Sequence, residues 1–251
     1  MTKAQTKPAS SSQVTSDLNL VLRTLQENPP LARALIDPGA AGANKDELIS
    51  AIFTDLSTGA KTLLAQAWEK SWTSPEVFIA WVESVAVTSA WDWAQGEGTL
   101  EDSIDQVFAF SQVLRRDHGV RAAITDRRVS AERRQDLATN MLAAAMTPPA
   151  LNVVLLAVSS RQGTIDEAMA RFLGLGADLA GAKLAVVTVA KPLSAAQKTS
   201  LGAALQARMG ATIIEEIVDP GVLGGVRVES GSQVIDDTVA TRLEAVRRDF
   251  V

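Results

Sequence analysis

At 251 residues, with 47% hydrophobic and 21% charged side chains, the chain has an ordinary soluble globular composition and room for one large core or two smaller ones. No cysteine and a single histidine exclude disulfides, thiolate nucleophiles, Cys-ligated zinc and multi-histidine metal sites. Twenty-four basic against 29 acidic side chains, a net charge of −5, give no reason to expect nucleic acid, whose backbone demands clustered positive charge.

The first fifteen residues, MTKAQTKPASSSQVT, are small and polar without an apolar period, and read as a disordered tail rather than a signal peptide. No run approaches the ~20 apolar residues that cross a bilayer, so any membrane link has to pass through a partner. From Ser16 to about Gly176 the period is helical. Leu18, Val21, Leu22 and Leu25 recur at i, i+3, i+4 and i+7, one face of a helix. Further helices are predicted near 45–56, 58–70, 75–94, 102–117, 130–145, 148–161 and 164–177. The prolines and glycines at 29–30, 38–39, 96 and 148–149 punctuate them. All five tryptophans fall within 68–93, with core packing as the default reading and an exposed anchor as the alternative.

Sliding the chain on itself by 89 residues aligns Leu18 with Val107, Leu25 with Leu114, Asp37 with Asp126 and Ile52 with Met141. A one-residue adjustment then pairs Ala60 with Ala150, Leu64 with Val154 and Ala67 with Ala157. The pattern suggests a diverged duplication of a helical unit.

Candidate chemistry is sparse. Gly174, Gly176 and Gly181 follow a helix and precede a strand, the reverse of the order a dinucleotide loop needs, and read as a flexible linker. His118 sits beside Gly119 at a helix end, where a cation would suit the negative terminus. Seven arginines crowd 115–134 among Asp117, Asp126 and Glu132, which reads as a solvated helical surface or, failing that, a site for an acidic protein partner. After Gly181 the period turns strand-like: KLAVVTVA (183–190), a helix from Ser194 to Met209, ATIIEEIV (211–218), a turn at Asp219-Pro220-Gly221, and a hairpin around Ser230-Gly231. Asp236 is then placed as the cap of a last helix from about Thr238 to Phe250. The fold class is therefore an all-helical bundle with duplicated units, followed by a small C-terminal α/β domain.

The closing run, GATIIEEIVDPGVLGGVRVESGSQVIDDTVATRLEAVRRDF (210–250), resembles the end of the delta subunit of F-type ATP synthases, the family of the mitochondrial oligomycin-sensitivity-conferring protein. The residues that carry the likeness are Asp219-Pro220, Gly224-Gly225, Val234-Ile235-Asp236, Thr238 and Arg242-Leu243-Glu244, with Asp237 where the family usually has Gly. Residues 87–114 resemble the family's first two helices more loosely. The resemblance implies a six-helix bundle over 77–178 and an α/β domain over 182–251, with 16–76 an extra helical region like that of enlarged actinobacterial forms.

It further implies a non-catalytic peripheral-stalk subunit without cofactor or metal, at the cytoplasmic face of a bacterial cell membrane. The bundle would hold the N-terminal segment of an alpha subunit, and the α/β domain the C-terminus of a b-type stalk subunit. Gly224, Gly225, Thr238, Arg242 and Leu243 are the candidate partner-binding residues. A helical adaptor unrelated to ATP synthase is the alternative.

Overall fold

The computed structural model describes residues 11–37, 39, 42–53, 55–67, 70–222, 224–230 and 233–238. Ten helices come first: α1 (Ser12–Glu27), α2 (Pro29–Ile36), α3 (Gly42–Ile52), α4 (Thr58–Ala65), α5 (Pro75–Gly96), α6 (Leu100–Arg116), α7 (His118–Thr125), α8 (Ala131–Leu142), α9 (Pro148–Ser159) and α10 (Ile165–Leu179). Then come β1 (Lys183–Val189), α11 (Ala195–Met209), β2 (Thr212–Val218), β3 (Gly225–Ser230) and β4 (Gln233–Thr238).

Helix starts are written in short polar residues and prolines. Ser11, Ser57, Ser74 and Ser130 each accept a bond from a backbone N–H three residues on, satisfying a donor that has no partner inside the helix. Thr164 with Glu167, and Ser194 with Gln197, close reciprocal capping boxes. Proline opens α2, α5 and α9, where its missing N–H costs nothing. Because α1 starts at Ser12, Val14 and Thr15 are buried and not part of a tail; Thr15 Oγ1 lies 2.9 Å from Ser89 Oγ on α5.

The repeat is visible in the elements themselves. Shifted by 89, α1 falls on 101–116, α2 on 118–125 and α3 on 131–141, which are α6, α7 and α8 to within a residue. Shifted by 90, α4 begins where α9 begins and α5 where α10 begins. Hydrogen bonds repeat as well. Ser57 N donates to Asp17 Oδ2 at 2.7 Å, and its counterpart Thr147 N donates to Gln106 Oε1 at 2.8 Å, each tying the start of a fourth helix to the first helix of its unit. Asp37 and Asp126 each accept the N–H two residues on. Asn28 N bonds Thr24 O as Asp117 N bonds Val113 O.

Helix α5 belongs to both halves. It closes the first five helices, lying along α1, and opens the six-helix group by packing on α9 and α10. One apolar cluster therefore runs without interruption from Val14 to Leu173. Asp17 shows what the inter-helix ties contribute. Burial raises its pKa, but the bonds from Ser57 and Gln13 outweigh that and hold it below the usual carboxylate value. Asp17→Ala is expected to cost about 1–2 kcal/mol in a urea titration, by orphaning Ser57 N–H. Gln106→Ala, its counterpart, should act in the same sense.

The sheet has strand order β2-β1-β3-β4. β1 and β2 are parallel and joined through α11, while β3 is antiparallel to both β1 and β4. Ala185, Val187, Val189 and Val228 face Leu205 of α11 and form a separate small core. Alternate residues Leu184, Val186, Ile213 and Ile217 turn the other way, against the helices.

Several expectations need correction. Asp236 does not stand at a helix start: its backbone lies within β4 in register with Arg227, and Thr238 ends that strand opposite Gly225. The remainder of the proposed last helix is outside the described residues. Gly174 and Gly176 are helical residues of α10, so the glycines form no flexible linker; bonds from Gly181 N to Asp178 O and from Ala182 N to Ala177 O end that helix at once. His118 opens α7, where a cation is disfavoured, and the capping belongs to Asp117, which accepts from Gly119 N and Val120 N.

Candidate partner-binding surfaces

Three of the five candidate residues meet at one end of the sheet. Gly224 and Gly225 have φ of 137° and 87°, a backbone region that a Cβ strongly disfavours, and this sharp entry brings the chain into β3. Gly225 pairs with Thr238 across the hairpin, and the next pair inward, Val226 with Val189, joins that corner to β1. The turn at 219–221 lies alongside: Asp219 N bonds Val189 O at 2.8 Å, and Asp219 Oδ1 accepts from Gly221 N at 2.8 Å. Arg242 and Leu243 lie outside the described residues, so the structure does not place them with the other three.

Sequence reasoning missed two grooves among the helices. One, of about 500 Å³, runs between α1 and the α8–α9 pair and is lined by Leu20, Arg23, Gln135, Leu155 and Arg161 among others. Its walls are fastened by Asn19 Nδ2 to Asn152 Oδ1 at 3.1 Å and by Arg161 Nη1 to Gln26 O at 2.5 Å. Leu20 is 44% exposed on this side of α1, and Leu137 and Met141 stand exposed on α8. A second groove, of about 230 Å³, lies between α4 and α5 over Leu63, Trp81 and Val85. The signal available in sequence was an apolar residue on the wrong face of its helix, such as Leu20 one step off the Leu18–Leu25 stripe.

The tryptophans divide between the two readings. Trp91 is fully buried and donates from Nε1 to Phe172 O at 2.8 Å. Trp72 and Trp81 are half-buried, their ring centroids 5.3 Å apart, with Lys70 Nζ 4.9 Å above Trp81. Trp93 bonds Glu97, and Trp68 is outside the described residues. Of the arginines, four are used internally. Arg121 clasps Asp166 with both terminal nitrogens, Arg128 pairs with Asp126, and Arg127 reaches Gly163 O. Arg134 Nη1 donates to Ile124 O at 3.3 Å and Val158 O at 2.7 Å, closing the ends of α7 and α9. Arg128 draws the Asp126 carboxyl down to about 2. Among the described residues there is no group of three or more His, Asp or Glu that could hold a metal ion, and no helix long and apolar enough to cross a membrane.

Comparison with known proteins places the chain in a family. The family model of the ATP synthase delta (OSCP) subunit matches residues 87–250. The chain belongs to this family. It is similar to "ATP synthase subunit delta" of Frankia casuarinae, at 31% identity over 96% of this chain and 89% of the relative. Likeness to the protein of the same description from Streptomyces avermitilis is 35% over 94% and 88%. A chain of the Toxoplasma gondii mitochondrial ATP synthase hexamer covers 67% of this one at 22% identity and a TM-score of 0.41.

As a delta-family member the chain is a peripheral-stalk subunit of an F-type ATP synthase, a structural component that associates with other subunits and is peripheral to the membrane-bound complex. An adaptor unrelated to ATP synthase is not favoured. The match begins within α5, and the full-length relatives extend it across α1–α4, so the enlarged helical part is shared with these actinobacterial chains.

Proposed function

We propose that the helical part grips the N-terminal segment of an alpha subunit in the catalytic head, that the α/β part holds the C-terminal end of a b-type stalk subunit, and that the chain makes and breaks no bonds itself. It works at the cytoplasmic face of the bacterial membrane, as a brace against rotation. The observation that carries this reading is a chain with two separately cored parts, one built on α1–α10 and one between the sheet and α11. The grooves beside α1 and α5 are of a kind that accepts an amphipathic helix at i, i+3, i+4 and i+7. Two attachment points in one chain raise the effective concentration of the second, so neither contact has to be very tight alone.

Cross-linking mass spectrometry on the membrane-bound complex tests the division. Alpha-subunit links are expected on α1–α10 and b-subunit links on the sheet and the residues after it; both partners mapping to the same part would overturn it. Gly224→Val tests the sheet corner. A β-branched residue at φ 137° costs about 1–2 kcal/mol locally. In membrane vesicles it is expected to uncouple proton flow from ATP synthesis while the released head still hydrolyses ATP. Unchanged coupling would count against this corner as a docking face.

A further inference from the structure

Two main-chain bonds fix which way each residue of β2 faces. Lys183 N donates to Ala211 O and Asp219 N to Val189 O, both at 2.8 Å, at the two ends of an unbroken parallel register from Lys183–Thr212 to Val189–Val218. Alternate residues of a strand turn their main-chain groups to alternate sides, so Ala211, Ile213, Glu215, Ile217 and Asp219 face β1. Thr212, Ile214, Glu216 and Val218 therefore turn their N–H and C=O groups outward. β2 is the edge of the sheet, with no strand beyond it among the described residues.

An open edge is a template for another strand, and proteins commonly blunt it with proline, lysine, a bulge or an inward-pointing charge. β2, TIIEEIV, has no proline, no lysine and no bulge; it has the inward charge. Glu215 points to the helix side of the sheet, flanked by Ile213 and Ile217, and is 7% exposed. Its Oε1 has no hydrogen-bond partner, and its register partner on β1, Val186, offers no side-chain donor. Glu216, on the α11 side, is satisfied by Lys198 Nζ at 2.7 Å and a bond from Leu193 N at 2.7 Å. Two neighbouring acids thus differ: one is fully engaged on its face, the other keeps a buried oxygen unbonded.

A strand laid along β2 places a side chain across from Glu215 on the same face, at about 5 Å between Cβ atoms. An apolar residue there leaves the buried oxygen orphaned, whereas lysine or arginine meets it with a charge-assisted bond. The acid thereby rejects most strands and admits one kind. Burial pushes this carboxyl up to about 8, and a cation brought against it favours the charged form, so the incoming side chain completes the pair.

We propose that the outer edge of β2 is a docking edge: it takes one extended strand from the stalk subunit held by the α/β part, and Glu215 selects a strand with lysine or arginine opposite it. This rests on the reading that the α/β part holds a stalk subunit, and it specifies the means, main-chain pairing for strength and one buried ion pair for choice.

Residue-resolved amide exchange on the full-length chain, free and within the intact ATP synthase, tests the proposal. In the free chain the outward amides of Thr212, Ile214, Glu216 and Val218 are expected to exchange fast, and those of Ile213, Glu215 and Ile217, bonded to β1, slowly. In the complex the outward four should slow by about tenfold or more. Glu215→Gln keeps the shape but cannot neutralise a cation. With the helical part still anchoring the chain, it is expected to return the outward amides to within about threefold of their free rates while the inward ones stay slow. Outward amides equally fast in both states, beside cross-links that do place a stalk subunit on the sheet, overturn the docking edge and leave the earlier reading standing. Outward amides already slow in the free chain overturn it as well, because the chain's own residues beyond Thr238 then cover the edge. Full protection retained in Glu215→Gln overturns selection by the acid.

Discussion

Trp91→Ala is expected to be the most destabilising single change in the helical part, by about 3–5 kcal/mol for the emptied volume, measured as a lower midpoint in urea at unchanged slope. Trp91 is fully buried where α5 crosses α10, and its indole N–H is bonded to the Phe172 carbonyl. Truncation therefore also strips a hydrogen bond from that carbonyl, on the order of 1 kcal/mol more. Gly176 on α10 is the matching feature. A Cβ built there would stand 3.0 Å from Trp91 Cε2 and 3.2 Å from Ile104 Cγ1, so the glycine makes room for the indole. Gly176→Leu alone is expected to cost about 1–3 kcal/mol through overpacking. Combined with Trp91→Ala it should cost less than the sum, because the new side chain enters the space the indole left. Simple additivity would mean that α5 and α10 do not share this contact.

Raising the pH from about 5 to about 8 is expected to lower global stability by on the order of 3 kcal/mol, and Glu215→Gln to remove most of that slope. The sign follows from which state holds the proton. Glu215 keeps its proton up to about 8 in the fold, while an unfolded glutamate releases it near 4.5, so the native state binds more protons throughout the interval and stability falls as pH rises. Glu83, pushed up by burial and pulled back by Ser160 and Arg171, contributes in the same direction. Asp17, Glu76, Glu167 and Glu216 are shifted down; their contributions are complete above the ordinary carboxylate range and are lost in acid, outside this interval. Urea midpoints at three pH values for the wild type and the variant decide the matter, and parallel slopes would show that Glu215 is not the group responsible.

The helical half was legible because amphipathic helices announce themselves. Leu18, Val21, Leu22 and Leu25 form the buried stripe their spacing required, and the shift of 89 that aligned side chains also aligns helix boundaries. Helix α5 was legible as a helix but not as a shared one. Its polar positions are scattered, because Ser89 meets α1 while Glu83 meets Arg171 on α10, and such contacts have no sequence period. Asp236 was misread because an aspartate after a strand is a good cap in isolation, whereas the strand itself runs on through it to Thr238, in register with β3. At the sheet corner the Gly224-Gly225 pair and Thr238 were nameable from sequence, but their meeting depends on hairpin register. Glu215 carries no mark that separates it from Glu216 until α6 is laid on the sheet.

Sharing α5 has a mechanical consequence. Twenty-two residues at 1.5 Å each make a continuous rod of about 33 Å to which both helical repeats are bonded along their length. Beads on a string would bend at the link between them; here a bend between the two repeats has to bend a helix of both. The passage from Ala180 to Ala182, by contrast, joins the last helix of the bundle to the sheet through three residues that belong to neither, and a hinge under torque is expected there first.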